Sequence, residues 1–264
     1  MDVVITDLDG SLLDHCTYSF AEALPALNLL KDKRIPLLYC SSKTRLEMEY
    51  WRRQTENQHP FIVENGGAVI IPTGYFQFPI LSARTLGASV AVQLGDSYAD
   101  LVECLKEAAA ASGCSVRGFH DMTASEIAKL CDLSPSSALL AKAREFDEPF
   151  LILDNERTNE LLAAIERKGK RWTRGGRFHH ILGANDKAVA VTLLLDLYRK
   201  GGCDIRSIGI GDGLNDAPFL NVVDVPILIR TPWIEDLQAA VRRGRATDSP
   251  GSRGWNEAIM GLFA

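Results

Sequence analysis

The sequence has no apolar run approaching the roughly 18 residues of a membrane span; even "AVAVTLLLDLY" is broken by Asp196. A membrane partner is therefore not expected. Met1 and Asp2 lead straight into a strand-like run, with no basic region, apolar core and small-residue cleavage site. No secretion signal and a cytoplasmic setting are the expectation. The six cysteines, Cys16, Cys40, Cys104, Cys114, Cys131 and Cys203, lack CxxC pairs and zinc-finger spacing, which predicts reduced structural thiols instead of a disulfide framework. Positive charge is scarce: the formal net charge is −5 and no basic run exceeds "RRGR". A nucleic-acid partner is not expected. Internal repeats and low-complexity segments are absent too. What is present is a chain of 264 residues, 46% hydrophobic and 24% charged, the make-up of a soluble globular protein with length for two domains.

The first 72 residues alternate. "VVITDLD", "IPLLYCSS", "PFIVEN" and "GAVIIP" read as strands, and "FAEALPALNLLKDK" and "KTRLEMEYWRRQTE" as amphipathic helices. The last 80 alternate again, with a helix in "NDKAVAVTLLLDLYRK", a strand in "IRSIGIGDG", a short helix in "LNDAPFLNVV", a strand in "VPILIR" and a helix in "PWIEDLQAAVRR"; "TDSPGSRGWNEA" reads as a surface loop before a final helix. Alternation of this kind predicts an α/β fold with a Rossmann-like parallel sheet and a site at the carboxyl ends of its strands. Between the halves the pattern changes to "ADLVECLKEAAAAS", "SEIAKLCDLSPSSALLAKA" and "NERTNELLAAIERKG" as helices, with short strands in "SVRGF", "PFLIL", "KRWTR" and "RFHHILG". We read residues 79–182 as an α+β domain inserted into a core made of 1–78 and 183–264, with hinges near Phe78 and Gly183.

Acids, small hydroxyls, one lysine and tight glycine turns gather at the predicted strand ends, in "DLDGS" (7–11), "CSSKTR" (40–45), "NDK" (185–187) and "GDGLNDAP" (211–218). Phosphoryl transfer needs this inventory: carboxylates for a magnesium ion, a cation for phosphate and donors for its oxygens. Each stretch also has a plainer reading. Asn215 or Asp216 would suit a helix cap, Lys187 an exposed surface, and Ser41 or Ser42 an N-cap. An EF-hand beginning at Asp7 fails, because Leu12 falls where its glycine belongs and Tyr18 where its glutamate belongs. "GIGDG" departs from a dinucleotide fingerprint at Leu214.

These four stretches, in this order, resemble the motifs of the haloacid dehalogenase superfamily of phosphohydrolases: DxDG[ST] in Asp7 to Ser11, a hydroxyl in Ser41, a lysine in Lys187 and GDxxND in Gly211 to Asp216. The insertion resembles the α/β cap of the sugar-phosphatase branch. Within that branch, "SSKTRLE", "PFIVENGGAVIIP", "REFDEPF" and "GGRFHHILGANDKAVAV" are most similar to mannosyl-3-phosphoglycerate phosphatases. The resemblance implies a magnesium-dependent hydrolysis of mannosyl-3-phosphoglycerate to mannosylglycerate, a compatible solute, and phosphate. It implies Asp7 as nucleophile, Asp9 as general acid and base, Asp7, Asp9 and Asp212 as metal contacts, Asn215 and Asp216 behind them, and Ser41 and Lys187 on the phosphate. Substrate choice would then lie in the cap. Arg144 and Arg177 are candidates for the glycerate carboxylate because guanidinium grips carboxylates in two places, and Glu148, His179 and His180 for sugar hydroxyls; Arg45 and Asn65 are further cleft candidates. Another sugar phosphate, or glucosyl-3-phosphoglycerate, fits the same chemistry. A non-hydrolytic module that accepts a phosphoryl group or binds metal is the alternative from another class. The sequence leaves oligomeric state open.

Overall fold

A computed structural model describes residues 1–175 and 177–264. The strands are β1 (Asp2–Thr6), β2 (Leu37–Cys40), β3 (Phe61–Val63), β4 (Ala68–Pro72), β5 (Ala83–Leu86), β6 (Ser89–Gln93), β7 (Val116–Gly118), β8 (Glu148–Ile152), β9 (Arg171–Gly175), β10 (Phe178–Leu182), β11 (Arg206–Gly211), β12 (Val225–Leu228) and β13 (Arg245–Ala246). The helices are α1 (Leu24–Asp32), α2 (Arg45–Gln54), α3 (Tyr98–Ser112), α4 (Ala124–Cys131), α5 (Pro135–Lys142), α6 (Thr158–Arg167), α7 (Lys187–Lys200), α8 (Ala217–Leu220), α9 (Ile234–Ala240) and α10 (Gly251–Phe263). Among the described residues, nine strands form one sheet in the order β13-β12-β11-β1-β2-β3-β4-β6-β5, parallel from β13 to β3 and antiparallel from β3 to β5. The remaining four make an antiparallel sheet in the order β7-β8-β10-β9. This is the α/β architecture that the alternating pattern predicts.

Because successive side chains of a strand face opposite ways, β1 feeds two cores. Val4 packs on one face with α1, α2 and α10 through Leu27, Leu30, Met48, Trp255 and Ile259. Val3 and Ile5 pack on the other with α7 and α8 through Val191, Leu194, Leu195, Phe219 and Leu220. Strands buried on both faces read as continuous apolar runs. Trp255 is fully buried and its indole N–H donates to Thr6 Oγ1 at 3.0 Å, so "GSRGWNEA", expected as loop, is instead the first half of α10. In the smaller sheet, α3 and α6 cover one face through Leu101, Leu105, Leu161 and Ile165. Phe119, Met122 and Ile127 build a separate cluster with Phe178 and Leu151 beside α4 and α5.

Two boundaries differ from the sequence reading. The hairpin β5–β6 pairs onto β4, so the chain leaves the large sheet after Gln93 and not near Phe78. The alternation in "SVAVQ" and the glycine of "LGAS", with Gly87 at φ +58°, are its local signals. The single helical stretch expected over "SEIAKLCDLSPSSALLAKA" is two helices, because Asp132 turns left-handed (φ 55°) and Ser134 caps a new start before Pro135. The two crossings between the sheets lie together: a side-chain carbon on Gly183 would meet Asp96 Oδ2 at 2.7 Å, and one on Gly95 would meet Asn185 Oδ1 at 2.8 Å. All six cysteines are free thiols. Among the described residues, no helix is long and apolar enough to cross a membrane.

Candidate active site

Strands β11, β1 and β2 are neighbours and parallel, so the loops that leave their carboxyl ends emerge side by side. That places Asp7 after β1, Ser41 after β2 and Asp212 after β11 at one edge of the sheet. Lys187 comes from the first turn of α7, which Asp186 caps by accepting from Val189 N at 2.9 Å. Its ammonium donates to Asp7 Oδ1 at 2.8 Å and Asp216 Oδ1 at 2.6 Å. Residues 180 and 29 positions apart in the chain thus share one buried cation.

The acidic loop is held by its own hydrogen bonds. Asp216 Oδ2 accepts from Asp212 N and Gly213 N, both at 3.1 Å, while Ser11 Oγ donates to Asp212 Oδ1 at 3.4 Å. Gly10 adopts φ +76°, and a side-chain carbon there would lie 2.3 Å from Asp212 Oδ2. A glycine at this position therefore lets the two acidic loops close on each other. Asn215 reaches the other sheet, its amide 3.8 Å from where a side-chain carbon on Gly175 would sit.

Carboxylate oxygens of Asp7, Asp212 and Asp216 all lie within 4.8 Å of one another. Burial pushes the Asp7 carboxyl up to about 7, against the pull of Lys187, with Asp216 and Asp9 adding to the rise. Burial and the neighbouring Asp216 and Asp7 hold Asp212 well above the ordinary carboxylate range. Burial opposes the charge on Lys187, but Asp216 and Asp7 outweigh it and keep the ammonium charged. One ammonium among three carboxylates leaves an excess of buried negative charge, which a hard divalent cation with oxygen ligands would relieve. The donor set fits magnesium. Asp9 stands apart: its Oδ2 pairs with Lys43 Nζ at 2.9 Å, and its Oδ1 is buried without a hydrogen-bond partner among the described residues.

The chain is similar to curated phosphatases over nearly its whole length. It is 40% identical over 263 residues to a glucosyl-3-phosphoglycerate/mannosyl-3-phosphoglycerate phosphatase of Methanococcoides burtonii, covering 99% of this chain and 97% of the relative. A mannosyl-3-phosphoglycerate phosphatase of Pyrococcus furiosus is 37% identical over 227 residues, covering 86% of this chain and 90% of that one. The chain belongs to this family of phosphatases. A solved phosphatase of the HAD superfamily from Bacteroides thetaiotaomicron shares the fold, with a TM-score of 0.68 at 17% identity over 99% of this chain and 95% of the other. No protein-family model matches the chain. The fold is therefore the one that the four motifs imply, shared with a phosphatase of the HAD superfamily, and the chain is a phosphatase by its relatives.

In this phosphatase, several residues expected to face substrate have their polar groups engaged within the protein. Arg144 is held by Asp147, by Glu64 Oε2 at 3.5 Å and by the Ser42 carbonyl at 3.0 Å. Arg45 pairs with Glu49 and Glu145, both at 2.9 Å. Asn65 donates to Asp147 Oδ2 at 2.7 Å, and His180 Nδ1 lies 3.0 Å from the same oxygen. Glu148 is fully buried and accepts from His120 N at 3.1 Å, with His120 Nδ1 at 2.7 Å. For Arg144 the physical reason is that a charge buried where the two sheets meet must be paired, whereas Glu148 Oε2 and Asn65 Oδ1 are buried without a hydrogen-bond partner among the described residues. Of the rest, Arg177 is exposed and donates to the Leu130 carbonyl. His179 is half-buried against the rings of Phe150 and Trp172. The adjacent histidines face opposite sides of β10, as strand geometry requires.

Ser41 is buried, its Oγ accepting from Lys43 N at 3.3 Å. It does not cap the next helix. Thr44 does, in a reciprocal capping box with Glu47. Lys43 went unrecognised in the sequence, although it lies inside "CSSKTR". Reading "TRLE" as a capping box would have fixed the start of α2 and turned Lys43 back toward the "DLDGS" loop, where it meets Asp9.

Proposed function

We propose that this phosphatase hydrolyses mannosyl-3-phosphoglycerate to mannosylglycerate and phosphate through an aspartyl-phosphate on Asp7, with magnesium as cofactor. The observation that carries the reading is the clustering of the Asp7, Asp212 and Asp216 carboxylates, two of them bonded to Lys187, in a chain whose relatives are named for this substrate.

Phosphate monoester hydrolysis needs acceleration of up to about 10²¹-fold, roughly 28 kcal/mol of barrier. Division into two displacements and neutralisation of charge on the phosphate supply it. The Asp7 carboxylate attacks phosphorus in line, and the bond from phosphorus to the glycerate oxygen breaks. A proton carried on Asp9 Oδ1, the oxygen that the Lys43 contact to Oδ2 leaves free, goes to that departing oxygen. Asp9 then takes a proton from water, which attacks the phosphorus of the acyl phosphate and frees Asp7 and inorganic phosphate. Asp7 and Asp212, with Asp9 through its backbone carbonyl, would hold the metal, and Asn215 and Asp216, the latter already accepting from Lys187 and from the amides of Asp212 and Gly213, would steady their loop. Magnesium held there would supply neutralisation of charge on the phosphate oxygens. Lys187 offsets part of the cost of ionising the buried Asp7 carboxyl, and Ser41 presents a donor to phosphate. With Arg144 and Arg45 already paired, Arg177 is the arginine we assign to the glycerate carboxylate, and residues 79–182, less the β5–β6 hairpin, act as the cap.

Release of phosphate from mannosyl-3-phosphoglycerate tests this directly. Turnover should require magnesium, stop with EDTA and vanish in Asp7→Asn while that variant still melts cooperatively. Glucosyl-3-phosphoglycerate belongs in the same assay, because the Methanococcoides relative is named for both sugars. Stable phosphorylation of Asp7 without phosphate release would make the chain a phosphoryl-accepting module instead.

A further inference from the structure

Glu64 and Asn65 form a buried turn between β3 and β4, both with left-handed backbones at φ 48° and 55°. Adjacent non-glycine residues adopt that conformation only where the surroundings impose it. Here the surroundings come from both sheets. On the core side, Glu64 N donates to the Lys43 carbonyl at 3.0 Å and Asn65 N to the Ser41 carbonyl at 3.1 Å. A side-chain carbon on the following Gly66 would lie 2.2 Å from the Asp186 carbonyl oxygen. The turn is thus wedged between the loops that carry Ser41, Lys43 and Lys187.

Its side chains point the other way. The Glu64 carboxylate accepts from three successive backbone amides of the inserted segment between α5 and β8: Glu145 N at 3.0 Å, Phe146 N at 2.8 Å and Asp147 N at 3.0 Å. Converging amides of this kind form an anion-binding nest. Asn65 donates to Asp147, which also takes Arg144 and His180. His180 Nε2 lies 3.9 Å from the position of a side-chain carbon on Gly175, the point Asn215 approaches from the acidic loop.

We propose that Glu64 is a positioning residue: its carboxylate in the 145–147 nest clasps the inserted domain to the core and sets where the sugar-binding face sits over the phosphate site. The inference rests on the reading of that site as a phosphatase for a sugar-bearing ester. Glu64 touches no substrate. It acts through Asp147 and His180, so its effect belongs to substrates that reach the inserted domain and not to small esters held by the core alone.

Glu64→Gln replaces one acceptor oxygen by a donor facing the same amides. On mannosyl-3-phosphoglycerate, kcat/KM should fall at least tenfold, mostly through KM, while 4-nitrophenyl phosphate turnover stays within threefold of wild type. Should Glu64→Gln fail to fold, Glu64→Asp keeps the charge, withdraws it from the nest and should show the same selective loss. Equal loss on both substrates, or loss on neither, overturns the proposal. Hydrogen exchange separates its failure from failure of the phosphatase reading. Even in a protein that turns over neither ester, the amides of residues 145–147 should exchange at least tenfold faster in the variant than in wild type, relative to the amides of β8; unchanged exchange removes the clasp.

Discussion

Lys187→Met should be the most costly single change at the site, because one ammonium serves two buried carboxylates. Lys187 is 1% exposed and donates at 2.8 Å to Asp7 and 2.6 Å to Asp216. Methionine fills much the same volume, so the loss is electrostatic and not a cavity. Removal of one partner from a buried pair costs about 3–5 kcal/mol, and two acceptors put this case near the upper end. For a chain of this size that is a fall of roughly 10–20 °C in melting temperature. The pH dependence gives the sharper test. Asp7 titrates at about 7 in the fold against 3.8 for a free side chain. Lys187 pulls it down, so removing the lysine raises it further. Between about 7 and that higher value the variant's folded state binds more protons than wild type's, and its deficit therefore grows as pH rises through about 7. Thermal melts in EDTA at pH 5.5 and 8.5 measure both. Melting within about 1 kcal/mol of wild type at pH 8.5, or a deficit that shrinks as pH rises, would refute the assignment of Lys187 as counter-charge to these acids.

Two further outcomes follow from the same geometry. Lys43→Met leaves Asp9 without its cation at 2.9 Å; the freed carboxylate leaves its working position, and kcat on the sugar ester should drop roughly 10- to 100-fold with the circular dichroism spectrum unchanged, whereas a rate within twofold of wild type would show that the pair does not orient Asp9. Gly10→Ala puts a side-chain carbon 2.3 Å from Asp212 Oδ2 in a left-handed turn, so stability should fall by about 1–2 kcal/mol from the backbone alone and calcium or magnesium binding, followed by calorimetry, should weaken; unchanged metal affinity would detach Gly10 from the positioning of Asp212.

The acids, the lysine and the parallel strands were legible because each is a local fact. Asp7 and Asp212 end apolar runs, Lys187 opens an amphipathic helix, and the topology of a parallel sheet brings such ends together without further information. The β5–β6 hairpin was not legible, because its pattern is only five residues long in "SVAVQ" and its partner β4 supplies the burial that makes it a strand. The pairing of Arg144 was not legible for a different reason. An arginine in a sequence is equally suited to a carboxylate of substrate or of the protein, and only tertiary structure says which arrives first. Here Asp147 and Glu64 arrive first.

That outcome follows from where these residues lie. A domain inserted between two halves of another must return its chain to the core within a few residues of where it left, as Gly95 and Gly183 do against Asn185 and Asp96. Two adjacent crossings fix a pivot but leave rotation about it free, so a further attachment is needed to define how the inserted domain faces the site. Apolar contacts between the two would slide; directional hydrogen bonds to a buried carboxylate do not. On the proposed function, the arginine and acids at the junction serve orientation, and recognition of a glycerate end would fall to cations that the junction leaves unpaired, with Arg177 the first to test. Arg177→Ala should raise KM for mannosyl-3-phosphoglycerate at least tenfold with little change in kcat, since uniform binding is what it would remove; an unchanged KM would take Arg177 out of the glycerate site.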